Sequence, residues 1–366
     1  MPTTQNSPFL ALAETLELAF RAWDHEPGPW PERQFDELAL EIFALQFDAN
    51  LPYARYCRAI GASPGSVSSW CDIPAAPTAA FRAVDLIVGE PADACLRFRT
   101  SGTTRGEAER GVHPIRQPET YRAALSGPFR HSVLAGRDSA HLLLLHPPFQ
   151  PKAQSSLAWM FDEILDRFGA PGSTRLDPTG GLSGDSVSRE LEAGAAGTEP
   201  VVILGTTLAY ADLLVCLERS GLTVTLPPGS RLVDTGGAKG RDGLDRRGVM
   251  SQVLSRLGLD DPAAINEFGM TELLSQRYAA GLDDLRLVGP PWLRTRVLDP
   301  VTLQEKPRGE PGILCHYDLA NVGSVLAVLT EDRGRAHGEA IEWLGRTPGA
   351  PPRGCSLATA ELLGAQ

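Results

Sequence analysis

Asn266-Glu-Phe-Gly-Met-Thr-Glu272 is the stretch on which the reading of this chain turns. Between Phe268 and Glu272 it sets an aromatic ring, a glycine, a spacer, a threonine and a carboxylate in immediate succession. Two other polar, glycine-bearing stretches precede it. Ser101-Gly-Thr-Thr104 lies within Phe98-Arg-Thr-Ser-Gly-Thr-Thr-Arg-Gly106, and Asp234-Thr-Gly-Gly-Ala-Lys-Gly240 directly follows a short apolar run. On residue chemistry alone each allows two readings. Small hydroxyl residues around a glycine let backbone N–H groups approach a phosphate, or they form an ordinary polar turn. Gly236 and Gly237 let a flat base or sugar lie against main chain, or they make a tight strand-to-helix turn. The first stretch is not a Walker A loop, because Val112 follows Gly111 where that loop needs lysine.

Outward from these motifs the texture is that of an α/β protein. Short apolar runs at Leu142–Leu145, Val201–Leu204 and Leu232–Val233 predict buried strands. Leu157, Phe161, Ile164, Leu165 and Phe168 fall at helical spacing between the first two, and Leu208–Leu217 predicts a helix after the second. Such alternation predicts largely parallel strands flanked by helices. Beyond residue 290, Trp292–Leu298, Gly312–Tyr317 and Val322–Leu329 read as strands of a more antiparallel, smaller subdomain, which includes the adjacent Cys315 and His316 as structural residues. The N-terminal part is helical, with Ser7 and Pro8 opening a stripe of Phe9, Leu12, Leu16, Phe20 and Trp23 and a second helix carrying Phe35, Leu38, Ile42 and Leu45. Residues 72–91 are proline-rich without clear regular structure, and 169–199, rich in Gly, Ser and Ala, is expected to be a mobile surface loop. These shifts divide the chain into an N-terminal helical and Pro-rich part (1–95), a core (96–345) and a short tail (346–366).

Length and composition narrow the class. At 366 residues the chain is long for one hydrophobic core and suits two lobes. A net charge of −11 without a basic run gives no footprint for nucleic acid. No apolar run approaches the ~20 residues that cross a bilayer, and the N-terminus has no secretory-signal pattern. Cysteines at 57, 71, 95, 216, 315 and 355 lack Cys-x-x-Cys spacing, so free thiols in a reducing cytoplasm are the expectation. Lysine occurs only at 152, 239 and 306.

The heptad resembles the central signature of adenylate-forming enzymes, the superfamily of acyl-CoA synthetases, firefly luciferase and peptide-synthetase adenylation domains. The resemblance implies an α/β large N-terminal domain of layered sheets flanked by helices, with a smaller β-rich subdomain. It implies ATP and Mg2+ as cofactors. Phe268 with Gly269 would take adenine, Thr271 would contact the α-phosphate, and Glu272 would be the metal ligand. Those roles suit the chemistry, since a carboxylate favours a hard cation and an aromatic face a purine. By the same resemblance Ser101, Gly102, Thr103 and Thr104 would cradle phosphate, and Gly236, Gly237 and Ala238 would line the nucleotide. Asp332, in Leu329-Thr-Glu-Asp-Arg-Gly, would bind the ribose hydroxyls; Arg346, in Leu344-Gly-Arg-Thr-Pro-Gly, would contact ribose or phosphate.

Within that superfamily, Thr235-Gly-Gly-Ala-Lys-Gly-Arg, Asn266 to Leu273, Asp318-Leu-Ala-Asn321, Ser155-Ser-Leu-Ala-Trp-Met160 and Arg353-Gly-Cys-Ser-Leu together resemble the acyl-protein synthetase (LuxE-type) family over roughly residues 95–360. That family forms an acyl-adenylate, loads the acyl group onto its own cysteine near the C-terminus, and in luminescence passes it to a partner reductase. Cys355 is the expected acceptor, a thiolate being a better acceptor than a hydroxyl; the plain alternative is a cysteine packing a terminal helix. The usual C-terminal lid domain and its lysine are expected to be lacking, because no lysine follows Lys306 and the chain ends soon after Arg346. Lys239 is one candidate to replace that lysine; backbone groups or arginines of the large domain are others. His146, Trp159 and Met160 are expected at the substrate pocket. His113 would orient the phosphate loop, touch substrate or sit on a surface turn. Either a fatty or an aromatic acid suits the apolar walls. Delivery to coenzyme A or a carrier, and a nucleotide-binding homologue without catalysis, are the alternatives.

Overall fold

Why Phe9, Leu12, Leu16 and Phe20 recur at helical spacing is visible in the computed structural model, which describes residues 7–100, 110–236, 244–283 and 286–346. All four are buried on one face of α1 (Pro8–His25), with Pro8 in the first turn. Helix α2 (Glu32–Ala49) buries Phe35, Ile42 and Phe43, and Asn50 caps α3 (Leu51–Ala59) through Tyr53 N–H. Residues 72–91 hold only a two-residue strand, β1 (Ala76–Pro77), and short 3-10 turns. Strands β2 (Leu96–Arg99) and β3 (Val112–Ile115) pair antiparallel and bracket the segment that carries Ser101–Thr104. Helix α4 (Pro118–Ser132) follows.

The chain divides into two compact units: residues 1–127, 270–276 and 288–366 form the first, and 128–269 with 277–287 the second.

In the second unit the predicted alternation holds. Strands β4 (His141–Leu145), β5 (Thr174–Arg175), β6 (Val201–Gly205), β7 (Arg231–Asp234), β8 (Ala264–Phe268) and β9 (Arg277–Ala280) make one sheet in the order β5-β4-β6-β7-β8-β9. Only β9 runs antiparallel to its neighbour. Helices α5 (Ser156–Phe168), α6 (Gly184–Ala196), α7 (Thr207–Ser220) and α8 (Arg246–Arg256) provide the crossovers. Leu143, Leu145, Ile203 and Leu232 pack with Val187, Leu191, Leu213, Leu217, Met250 and Val253 from α6, α7 and α8. The alternate strand residues Leu142, Leu144, Val202, Leu204 and Val233 are equally buried, as strands covered on both faces require. Helix α6 corrects the expectation of a mobile loop at 169–199. Ser183 caps it, Val187 and Leu191 face the core, and Gly194 packs closely, standing where a Cβ would lie 2.9 Å from Val201. A two-residue strand, β10 (Arg286–Leu287), ends this unit.

In the first unit, β11 (Leu293–Leu298), β12 (Gly312–Asp318), β13 (Ala327–His337) and β14 (Ala340–Arg346) form consecutive antiparallel pairs, and β1 lies parallel to β13. The predicted strand at Val322–Leu329 starts late. Residues 319–323 form a 3-10 turn because Asp318 accepts the Ala320 N–H, and the strand begins at Ala327. Cys315 and His316 lie buried in β12, as expected for structural residues. No helix among the described residues is long and apolar enough to cross a membrane.

Candidate active site

The carboxyl ends of β4, β6, β7 and β8 lie side by side. Leu145 pairs with Gly205, Gly205 with Asp234, and Asp234 with Asn266. The next residues along each strand are therefore neighbours at one sheet edge: His146 after β4, Thr206 after β6, Thr235-Gly236 after β7, and Phe268-Gly269 at the end of β8. The carboxyl edge of a parallel sheet is where open α/β proteins bind ligands. Fully buried Asp234 anchors this edge. Its carboxylate accepts from Thr207 Oγ1 (3.0 Å), from Gly236 N–H (2.9 Å) and from Arg246 Nε (2.6 Å), while Gly236 O accepts the Thr207 N–H (3.1 Å). Gly236 has φ of +71°, open to glycine without strain, so the turn after β7 leaves the strand sharply. Glu267 is almost fully buried in β8; burial, with Asp234 adding to it, pushes its carboxyl up to about 8. It therefore holds its proton at neutral pH.

Asn266–Gly269 closes β8 in the second unit, whereas Met270–Gln276 belongs to the first. Glu272 is buried there, 8% exposed. Burial pushes its carboxyl up to about 7; its own backbone N–H, Arg346 and Arg82 act against that and Asp332 with it. Asp332 pairs with Arg346 across β13 and β14, with Arg346 Nε 3.5 Å from Oδ1. Trp343 Nε1 donates to the same oxygen at 3.2 Å. Burial raises the Asp332 carboxyl above its ordinary range, against the pull of Arg346 and Trp343. Glu272, Asp332 and Arg346, named separately from sequence, thus come together.

No group of three His, Cys, Asp or Glu side chains among the described residues is arranged to hold a metal. A buried carboxylate such as Glu272 nonetheless fits Mg2+, which takes one or two protein carboxylates and fills its octahedron with phosphate and water oxygens.

His113 is fully buried in β3, not on a surface turn. Its Nδ1 lies 2.8 Å from the Thr271 carbonyl, its ring meets Phe81 edge-on, and burial pushes it down to about 4. Asn321 Nδ2 donates to the Glu272 carbonyl at 2.9 Å. Asp318 accepts from the N–H groups of Leu274 and Ser275 and from Ser275 Oγ.

In the second unit, His146 directs Nδ1 toward Pro147 O (2.9 Å) and meets Phe161 edge-on. Burial lowers its pKa. Trp159 and Met160 are buried on α5. Ser101, Gly102, Thr103, Thr104, Gly237, Ala238, Lys239 and Cys355 lie outside the described residues. Asp234 opens the quoted motif, yet nothing local marks it as an anchor, and nothing local gives Asp318 or Asn321 a role. Thr207, Arg246 and Arg82 carry no local signal, because their partners are distant in sequence or lie across a crossover.

Comparisons with known proteins bear on the family and the fold. The family described as "Acyl-protein synthetase, LuxE" matches residues 185–364. A long-chain-fatty-acid–luciferin-component ligase from Vibrio harveyi is 22% identical over 363 residues, covering 93% of this chain and 92% of that protein. Among solved structures, 2-hydroxyisobutyryl-CoA ligase in an open conformation with 2-HIB-AMP and CoA superimposes with a TM-score of 0.60 at 14% identity, over 86% of this chain and 69% of that one. The same ligase in its thioesterification state gives 0.60 at 16%, with the same coverage. At such identities the structural likeness speaks for the fold, which is that of the adenylate-forming ligases. The motifs, the fold and the family match over residues 185–364 converge on the LuxE acyl-protein synthetase family, a family of ligases within the ATP-using adenylate-forming superfamily.

Proposed function

We propose that the protein converts a fatty acid and ATP into an acyl-adenylate and pyrophosphate, and then transfers the acyl group to its own Cys355. The observation that carries the first step is the grouping of buried Glu272 with Asp332 and Arg346. A carboxylate with raised proton affinity has a cation as its natural partner, and the Asp–Arg pair beside it offers an acceptor for vicinal hydroxyls and a donor for phosphate. Fatty acid as the substrate class is suggested by the Vibrio harveyi relative.

In this reading the substrate carboxylate attacks the α-phosphorus of ATP, and the bond to the pyrophosphate leaving group breaks. Glu272 would hold Mg2+, whose positive charge would offset the negative charge of the phosphates. Thr271 donates to the α-phosphate, Ser101 to Thr104 cradle the leaving phosphates, and Asp332 and Arg346 hold the ribose. Phe268 with Gly269 and the stretch Gly236 to Ala238 take the adenine, and Lys239 supplies charge to the phosphates. His146, Trp159 and Met160 belong to the acyl side. Rate then comes from positioning and from fixed charge, without a covalent step on the large domain. The Cys355 thiolate next attacks the mixed-anhydride carbonyl, AMP leaves, and the thioester keeps its transfer potential for a partner such as a reductase in the cytoplasm.

Carboxylate-dependent ATP–pyrophosphate exchange over a panel of acids tests the first step, with fatty acids expected to exceed aryl acids. Mass spectrometry after ATP and acid tests the second, with a hydroxylamine-labile adduct expected on Cys355. Adenylate without the adduct would move the acyl group to another acceptor; no exchange with any acid would refute the reading.

A further inference from the structure

The segment that carries Thr271 and Glu272 is held in large part by side chains. His113 Nδ1 lies 2.8 Å from the Thr271 carbonyl. A carbonyl only accepts, so the ring carries its proton on Nδ1 and presents Nε2 as a bare acceptor. Asn321 Nδ2 donates to the Glu272 carbonyl at 2.9 Å and to the Val325 carbonyl at 3.1 Å, which orients the amide and turns Oδ1 away. Successive carbonyls are thus held by residues more than 150 positions apart in sequence on one side, and 49 on the other.

The two devices share a recess. His113 Nε2, Asn321 Oδ1 and Ser324 Oγ are all buried without a hydrogen-bond partner among the described residues. All three residues line one small recess, with about 10 Å³ open to the centre of a water molecule. That is room for one water, and the valences close: a water donates to Nε2 and to Oδ1 and accepts the Ser324 hydroxyl proton. Three buried polar atoms on residues that line a water-sized space would otherwise each leave a desolvated group unsatisfied.

We propose that His113 and Asn321, bridged by one buried water that Ser324 also holds, are positioning residues that set the Thr271 and Glu272 carbonyls and thereby aim those two side chains at the nucleotide. The inference rests on the adenylation role given above to Thr271 and Glu272. Side chains that meet a reacting phosphate need placement within about 0.5 Å, and a rotated peptide plane exceeds that tolerance.

The test uses the full chain and three substitutions at the device, with Glu272→Gln as reference. His113→Asn puts an amide N–H where Nδ1 stands and keeps the donor to Thr271. His113→Gln reaches the Nε2 position and loses that donor. Ser324→Ala removes only the third partner of the water and is the mildest. Exchange kinetics with ATP and acid, and the thermal midpoint, are measured for each. The expected result for His113→Gln is a kcat lower by about 100-fold with KM for ATP changed far less. His113→Asn recovers most of that loss at a similar midpoint, and Ser324→Ala loses severalfold in kcat alone. His113→Gln or Ser324→Ala with the kcat of the native chain would overturn the proposal, as would equal losses in His113→Gln and His113→Asn. If exchange persists unchanged in Glu272→Gln, the adenylation role itself fails, whatever the His113 series shows.

Discussion

Glu267→Gln tests the electrostatics of the second unit. Glu267 ionises at about 8 in the folded chain against 4.5 in the unfolded one, from burial first and then from Asp234. Between those values the unfolded chain has released its proton while the folded chain keeps it. The unfolded state therefore binds fewer protons, and stability falls as pH rises from about 4.5 to about 8. At about 1.36 kcal/mol per pH unit, this side chain costs the fold roughly 1 kcal/mol at pH 5 and roughly 5 kcal/mol at pH 9. Glutamine has nearly the same shape and does not titrate, so the variant escapes the cost. Relative to the native chain it should gain about 4 kcal/mol between pH 5 and pH 9, on the order of 10 °C in thermal midpoint for a unit of this size. The assay is thermal or urea unfolding of both proteins at pH 5, 7 and 9. Because the native carboxyl is neutral at pH 7, exchange activity of the variant there should stay close to that of the native chain. A difference in stability independent of pH, or a variant less stable at pH 9, would refute the reasoning.

Asp234→Ala strips Thr207, Gly236 and Arg246 of their common acceptor, and urea unfolding should show a loss of about 3 kcal/mol or more, with a raised KM for ATP. Asp332→Ala should raise the KM for ATP about tenfold or more in exchange kinetics, as expected for loss of hydrogen bonds to a charged acceptor. Because Trp343 Nε1 donates to Asp332, ATP should change the indole fluorescence, and Trp343→Phe should abolish that component of the signal. Gly258→Ala places a Cβ 3.0 Å from Thr225 Cα at φ of +64°, and should lower stability by about 1–2 kcal/mol in the same unfolding assay.

Much of the fold was legible because its strands are covered on both faces. Leu142–Leu145 and Val201–Leu204 are unbroken apolar runs for that reason, and the stripe from Leu157 to Phe168 is the mark of an amphipathic crossover. Helix α6 was not legible, because Gly184, Ser186, Ser188, Gly194 and the alanines around them look like loop residues. Gly194 answers a tight packing site beside Val201 that only the folded chain creates, whereas the space around Gly184 is open. The late start of β13 was hidden for a similar reason, since Val322 and Val325 are apolar while Asp318 turns the backbone locally.

By itself the sequence determined the superfamily, through Phe268 to Glu272 and the ordered motifs around it, because an aromatic, glycines, hydroxyls and carboxylates in that order carry their chemistry in the residue types themselves. It also determined Asp332 and Arg346 as candidates. What only the tertiary structure decided is how those residues are held. A hydrogen bond from His113 to the Thr271 carbonyl, or from Asn321 to that of Glu272, is made to backbone, which every residue possesses. Such a partner leaves no trace of its identity in the sequence. The raised proton affinity of Glu267 and Glu272 is likewise a property of burial, which arises only when distant segments close over a carboxylate.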